Sequence, residues 1–368
     1  MRVLRYAVTS GPLSLLEVPA PSCPPDGVVL HVAATGVCRS DWHAWKGHDP
    51  VALPHVPGHE FAGTIAAVGP QVTRWEVGAR VTAPFVLGCG VCEFCRAGDA
   101  QVCPDQEQPG FTLPGSFADQ VAVPRADANL VRIPDSVEMV AAAALGCRFA
   151  TAFRVLTAHG RIEPDQWVAV HGCGGVGLSS VMIAVALGAS VVAVDVSPAA
   201  LALAAELGAV ATVNAHDRLD TAAAVAEFTD GGAHVSIDAI GRPEAAAASI
   251  RSLRRRGRHV QVGLLLGANA STTLPMDLVI SRELEIYGSH GMAAREYPAM
   301  LAAVADGRLH PEKLIGRVVE LAEATGVLTA MDRRTDPGLT VVTVRSDKRH
   351  AGELTSSQYT GHRQEAGR

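Results

Sequence analysis

168-VAVHGCGGVGLSSVM-182 runs from a short apolar strand through a glycine-rich turn into a helix. Its glycines, Gly172, Gly174, Gly175 and Gly177, contain the G-x-G-x-x-G spacing of a dinucleotide-binding turn. Gly172 permits the tight turn, Gly174 lets the backbone approach a pyrophosphate, and Gly177 lets the helix pack on the strand. The pyrophosphate is expected on the amides of the helix that starts near Val176. Alone the motif is weak, because glycine turns also occur in unrelated α/β domains. Its context strengthens it: the next strand, VVAVD, ends in Asp195, 23 residues after Gly172. A carboxylate there can accept hydrogen bonds from the ribose hydroxyls and repels a 2′-phosphate, which favours NAD over NADP. Cys173, inside the turn, reads either as a thiol activated at a helix start or, in preference, as a small packing side chain.

Working outward, strand-like runs VAV (168–170), VVAV (191–194), ATVN (211–214), VSIDA (235–239), HVQVG (259–263) and LEIYGS (284–289) alternate with helical runs such as LSSVMIAVALGA and SPAALALAAELGA. Six strands with helices between them predict an α/β unit, a doubly wound parallel sheet, over 146–288. Residues 1–145 read differently. VVLHVAATGV, HEFAGTIAAVG, ARVTAPFV and FADQVAVP are short runs broken by Gly and Pro, the pattern of a compact antiparallel β domain. Residues 289–345 are mixed, end in LTVVTV and are expected to rejoin the first domain. Residues 346–368 read as a mobile polar tail.

Bulk properties narrow the function. The 368 residues suffice for two cores, and 48% hydrophobic with 18% charged residues describes a globular protein. A net charge of −6 argues against a general nucleic-acid binder. The one dense basic run, RRRGR at 254–258, is expected to be a solvated loop before a strand. No apolar stretch is long enough for a membrane span, and the N-terminus lacks a signal-peptide pattern. Eight cysteines in such a chain point to a reducing, cytoplasmic compartment, where clustered thiols bind metals. Cys23 has no partner in sequence and reads as a surface thiol.

Cys89-x2-Cys92-x2-Cys95-x7-Cys103 is such a cluster, four thiols in fifteen residues. Four sulfur ligands make a closed, structural zinc site. Two disulfides and an iron–sulfur cluster are the rivals, and the x7 interval departs from the ferredoxin pattern. Cys38 in GVCRSDWH, His59 in GHEFAG and Cys147 in LGCRFATAF could form a second, open site, although their spacing alone is weak.

With GHE, the four-cysteine run and GxGGxG in that order, residues 1 to about 345 resemble the zinc-dependent medium-chain alcohol dehydrogenases. The resemblance implies a GroES-like β-rich catalytic domain joined to a Rossmann domain. It also implies two zinc ions per chain, NAD, and a small-molecule alcohol or aldehyde substrate. Cys38, His59 and Cys147 look like the catalytic ligands. Glu60 looks like the carboxylate that can approach the metal, and Asp41 like the one that orients His59. Ser40 and His43 match a proton relay from a zinc-bound alkoxide, Arg39 a pyrophosphate contact, and Thr151 a nicotinamide neighbour. Phe85 resembles a pocket wall, while Trp42, Trp45 and His290 fit a pocket wall or core packing equally. Where many relatives carry an Arg near the start of the terminal strand, this chain has Gly338 or Leu339, and Arg345 comes too late. Cofactor binding would then lean on Arg39 and the helix amides. A homodimer or homotetramer is expected. The alternative function is a redox-neutral lyase or epimerase that holds NAD tightly. A binding module without catalysis is disfavoured by the intact Cys38, Ser40, His43, His59 and Cys147.

Overall fold

A computed structural model describes residues 1–218, 220–333 and 337–344; Arg345 and the expected tail at 346–368 lie outside the described residues. Strands β1 (Arg2–Arg5) and β2 (Ser14–Glu17) form a hairpin. Next come β3 (Val28–Val37), β4 (Glu60–Val68), β5 (Arg80–Thr82), β6 (Gln120–Val123) and β7 (Val131–Arg132). All their pairings are antiparallel. β3 is the spine, since its Val-rich run is buried along nearly all its length, with His31 the exposed exception. Its neighbours close over a core that includes Leu30, Phe61, Ile65, Val81 and Phe117.

The parallel sheet follows, as β8 (Trp167–His171), β9 (Ser190–Asp195), β10 (Ala211–Asn214), β11 (Ala233–Asp238), β12 (Leu253–Gln261) and β13 (Glu285–Gly288). Their order is β10-β9-β8-β11-β12-β13, all parallel. Strand order reverses between β8 and β11, and ligands bind beyond the strand ends at such a switch point. The chain then returns to the first sheet. β14 (Ile315–Glu320) pairs parallel with β15 (Leu339–Thr343), and β15 pairs antiparallel with β3, so the first sheet is mixed at that edge. One hydrophobic cluster runs from Ala34 and Val341 through Leu145, Phe149 and Val155 to Val168, Ile183 and Val191, tying both sheets together. Among the described residues no helix is long and apolar enough to cross a membrane.

The basic run corrects an expectation. Arg254, Arg255 and Arg256 are exposed, but they lie within β12, not in a loop before it. The register shifts there, and Arg256 takes a left-handed φ of 64°. The run is therefore a bulge at the strand's start, where Arg256 ion-pairs with Glu283 at 2.5 Å.

Between this sheet and the helix Pro243–Arg251 lies a buried polar network. His259 Nδ1 sits 3.3 Å from Ser236 Oγ and 3.1 Å from Ser249 Oγ, and His171 Nε2 sits 3.3 Å from Ser252 Oγ. Burial pushes His171 down to about 3, with His259 adding to the effect, and His259 down to about 4. Both rings stay neutral in the fold, whereas unfolded histidine takes a proton near pH ~6.5. Their contribution is therefore complete above that pH and is lost as the pH falls from there towards the folded values. The expected loss is about 2 kcal/mol per ring at pH ~5. Thermal midpoints of the wild type should fall between neutral pH and pH ~5, and His259→Gln should flatten that slope. A slope unchanged in the variant would remove His259 from the effect.

Candidate metal centres and cofactor cleft

The outer lobe is joined to the first domain through Gly88, which exchanges hydrogen bonds with Asn129. Cys89 Sγ lies 3.9 Å from Cys95 Sγ, and Cys92 Sγ lies 3.7 Å from Cys103 Sγ. All eight cysteines are unbridged, so the disulfide rival is excluded. A tetrahedron with zinc–sulfur bonds of about 2.3 Å has edges of about 3.8 Å, which these separations fit. Backbone amides already point at the sulfurs. Val91 N donates to Cys89 Sγ at 3.5 Å, Cys92 N to Cys89 Sγ at 3.3 Å, and Cys95 N to Cys92 Sγ at 3.4 Å. The Val91 and Cys92 amides hold the Cys89 thiol down to about 6. Thiolates stabilised in this way are ready to take a cation.

The inner set is assembled from three distant segments. Cys38 follows β3 and caps the helix Arg39–Lys46. His59 immediately precedes β4, after Gly58, whose φ of 105° no side-chain-bearing residue adopts easily. Cys147 lies in a π-helical turn, Leu145–Phe149, a widened turn of the kind found at functional sites. One donor atom each from Cys38, His59, Glu60 and Cys147 lies within 4.8 Å of all the others. Fully buried Asp41 joins two of these segments. Its Oδ2 accepts from Cys38 N at 2.9 Å, and its Oδ1 accepts from Gly58 N and from His59 Nδ1, both at 3.0 Å.

That bond turns His59 Nε2 towards the thiols, where it is buried without a hydrogen-bond partner. Burial opposes charge on His59, but Asp41 and Cys38 together outweigh it and hold the ring well above its ordinary value. A cation at Nε2 would satisfy both the orphaned nitrogen and the Asp41 charge. The hydrogen bond from Cys147 holds Cys38 well below the thiol range and leaves Cys147 well above it, so the pair shares one proton. Metal binding would release it. The donor set therefore fits a divalent metal with thiolate and imidazole ligands.

Glu60 and Arg148 form a buried ion pair behind this set. Glu60 Oε1 accepts from Arg148 Nε at 3.0 Å, Arg148 N at 3.1 Å and Cys147 N at 3.2 Å, while Arg148 Nη2 meets Oε2. Burial pushes Glu60 up, and Arg148 opposes the shift. Sequence reading missed Arg148. Its signal was a single charge in an apolar helical run directly after a candidate ligand. Phe111, 5.2 Å from the His59 ring, was also missed and carried no sequence signal.

The other expected residues fall at varied places. Ser40 Oγ lies 3.7 Å from Cys38 Sγ, next to the inner set. His43 does not bond to Ser40; its Nδ1 faces His48 Nδ1 at 3.1 Å. The direct Ser40–His43 link is thus absent, because both project from one short helix with His43 turned to the surface. Phe85 stands 6.2 Å from the His59 ring, and His290 packs on Phe85 at 5.3 Å with its Nδ1 3.1 Å from Gln101 O. Trp45 is core: its Nε1 donates to Gly11 O at 2.8 Å and its ring is buried. Trp42 instead lines the cleft and donates to Asp332 at 2.8 Å. Thr151 is buried in the helix after Cys147.

A cavity of about 1050 Å³, lined among others by Arg39, His43, His171, Asp195 and Ile240, opens at the switch point of the parallel sheet. The glycine turn follows directly on His171, one of its lining residues. Gly172 has a φ of 96°, and a Cβ at Gly177 would run into the Gly172 carbonyl. A Cβ at Gly174 would meet nothing within 4 Å, so open space faces that residue. The helix begins at Gly175, so Val176 lies in its first turn. Asp195 clamps the turn: Oδ2 accepts from Cys173 N at 2.6 Å and Oδ1 from Ser197 N at 2.8 Å. Burial pushes the Cys173 thiol up, so it is packing, not an activated nucleophile. Arg39 donates to Met331 O at 2.7 Å and lies over the Trp42 ring.

Residues 24–135 match the alcohol dehydrogenase GroES-like domain family, and residues 175–306 match the zinc-binding dehydrogenase family. An alcohol dehydrogenase of Geobacillus stearothermophilus is 34% identical over 326 residues, covering 88% of this chain and 92% of its own length. The structure of the alcohol dehydrogenase TADH from Thermus sp. ATN1 superposes with a TM-score of 0.87 at 29% identity, over 94% of this chain and 100% of that one. A zinc-binding dehydrogenase structure from Sinorhizobium meliloti 1021, bound to NADP, gives a TM-score of 0.85 at 28% identity, over 93% of this chain and 98% of that one.

Proposed function

The chain belongs to the zinc-dependent medium-chain alcohol dehydrogenase family, and on that premise we propose that it transfers hydride between an alcohol and NAD. One observation carries the reading. The buried, unpartnered Nε2 of His59 converges with Cys38 and Cys147, and Cys38 caps the short helix whose Arg39 and His43 line the cleft. In this reading residues 1–145 and 289–345 form the catalytic unit and 146–288 the nucleotide-binding unit.

Bound zinc supplies a Lewis acid that acidifies an alcohol, and bound nicotinamide supplies the hydride acceptor. Cys38, His59 and Cys147 would hold the inner metal and leave a fourth position open; two thiolates and one imidazole is the ligand set known for alcohol dehydrogenases. Cys89, Cys92, Cys95 and Cys103 would hold the second. Asp41 fixes the His59 ring so that Nε2 stays aimed at the metal position. Phe85 and Phe111 pack near that ring, with centroids 6.2 Å and 5.2 Å away. Ser40 Oγ accepts the alcohol proton. The Ser40 hydroxyl would pass its own proton outward as it takes the alcohol's, and since His43 does not touch Ser40 that proton does not reach His43 by a direct hydrogen bond. His43 and His48 then carry the proton to the surface. Gly174 would give a pyrophosphate room, Arg39 would supply a cation for it, and Thr151 would neighbour the nicotinamide.

The test is turnover by the zinc-loaded protein on a panel of primary, secondary, aromatic and sugar alcohols with NAD. Accumulating NADH supports the proposal. Product formation without net NADH would favour the redox-neutral lyase or epimerase, and no conversion in either mode would overturn both.

NAD is the proposed cofactor because the Asp195 carboxylate lines the cleft, where a 2′-phosphate would meet a like charge. Asp195→Ala should narrow the preference for NAD by about tenfold, the size of ~1.4 kcal/mol. Because Asp195 also clamps the Cys173 and Ser197 amides, both cofactors should bind less well, so the ratio of kcat/KM values is the quantity to read. A wild type with the higher kcat/KM on NADP would reverse this assignment.

A further inference from the structure

Three glycines leave the space that Glu60 and Arg148 occupy. A Cβ at Gly36 in β3 would run into the Glu60 carboxylate and sit 3.0 Å from Arg148 Nη2. At Gly146 it would approach Glu60 Cα at 2.8 Å. At Gly175, the first residue of the glycine-turn helix, it would run into Arg148 Cδ and sit 3.0 Å from Leu339 Cδ2. The pair is thus set between the spine of the first sheet, the Cys147 turn and the dinucleotide turn. Arg148 is the one buried arginine among the described residues. Where the terminal strand presents uncharged Leu339, Arg148 places its stem against the same glycine.

Glu60 is held on both oxygens. Oε1 accepts three N–H groups and Oε2 takes Nη2, so the carboxylate faces Arg148 although one of its oxygens lies within 4.8 Å of donors from Cys38, His59 and Cys147. A carboxylate is a good zinc ligand, and a fourth protein ligand turns an open tetrahedral site into a closed one.

We infer that Arg148 is a positioning residue that pins Glu60 beside the inner metal position, keeping the fourth coordination place open for substrate. The inference rests on the reading of Cys38, His59 and Cys147 as metal ligands. Released, Glu60 would swing onto the metal and compete with any incoming oxygen or nitrogen.

Cobalt-substituted protein tests this without turnover, with imidazole as the probe of the open place. The four-cysteine site is closed and gives no imidazole response, so spectral change reports the inner site. Wild type should show a saturable imidazole shift. Arg148→Met should bind imidazole about tenfold more weakly or worse, with an altered cobalt spectrum in its absence. Glu60→Gln/Arg148→Met should recover wild-type affinity, because an amide is a poor ligand and both charges are gone. Arg148→Lys, which keeps the charge but not the fork, should fall between, and it serves if Arg148→Met does not fold. Imidazole affinity within twofold of wild type in Arg148→Met, or in Arg148→Lys should that alone fold, overturns the inference. So does a double variant no better than the single one. A wild type that takes up cobalt only at the four-cysteine site overturns instead the assignment of Cys38, His59 and Cys147, and the inference with it.

Discussion

Cys103→Ser should leave the protein with one zinc ion fewer than the two proposed for the fully loaded wild type, and should lower its thermal midpoint on the order of 5 °C, the response of a protein this size to about 3–4 kcal/mol. Cys103 is fully buried, lies 3.7 Å from Cys92 Sγ and accepts from Cys89 N at 3.3 Å. The lobe has little else to hold it. Its helix Glu93–Ala97 buries no residue, and Val91, Phe94 and Val102 are 64%, 40% and 46% exposed. A metal held by the four cysteines would stand in for a hydrophobic core, and structural zinc sites contribute about 10–16 kcal/mol of apparent binding energy in isolated peptides. A serine oxygen is shorter, harder and protonated, so it does not complete the tetrahedron. Loosening should spread through Gly88, which exchanges hydrogen bonds with Asn129, and through Asp99, which pairs with Arg154. The inner set shares no ligand with the lobe and should keep its metal. Metal analysis of fully loaded wild type decides the premise: a single zinc per chain, or iron with visible absorbance, would remove both site assignments.

Local signals fixed what the chain revealed by itself. The glycine turn is legible because one backbone geometry demands glycine at Gly172 and a second close approach demands it at Gly177. The outer lobe is legible because its ligands are neighbours in sequence. Most of the parallel sheet is legible because short apolar or β-branched runs, such as β8 and β9, alternate with helical runs. Pairings between distant segments were not legible. Nothing in LGCRFATAF says that Arg148 meets Glu60, 88 residues earlier, since that requires β4 and the Cys147 turn to pack first. Trp45 looked as available to a pocket as Trp42, three residues before it on the same short helix. Helical rotation turned one into the core and the other into the cleft. Ser40 and His43 seemed linked by their three-residue spacing, which puts side chains on one helix face but does not set where they end. RRRGR read as a loop because its charges hide the strand, and its bulge defeats the alternation that would have shown it.

Ser40→Ala should cut turnover by roughly 10²–10⁴-fold, the range of a lost proton-transfer group. Ser40 is the hydroxyl beside the inner set, 3.7 Å from Cys38 Sγ, and it is outside both ligand clusters and the glycine turn. Zinc content and NADH affinity should therefore stay within about twofold of wild type, which separates loss of a proton acceptor from loss of the site. Further along the path the effect should weaken. Burial, helped by His48 and Arg39, holds His43 below its ordinary value, so its ring is neutral and able to accept a proton at neutral pH. His48 lies 3.1 Å beyond it towards solvent. His43→Gln should thus be milder, because water and His48 can take over, and added buffer base should restore part of its rate. Buffer should do little for Ser40→Ala, whose missing hydroxyl lies deeper, at the metal pocket. The measurement belongs under conditions where hydride transfer limits the rate, since a slow product release would hide the change. Near-normal turnover in Ser40→Ala there would take the serine out of the mechanism and leave solvent as the base.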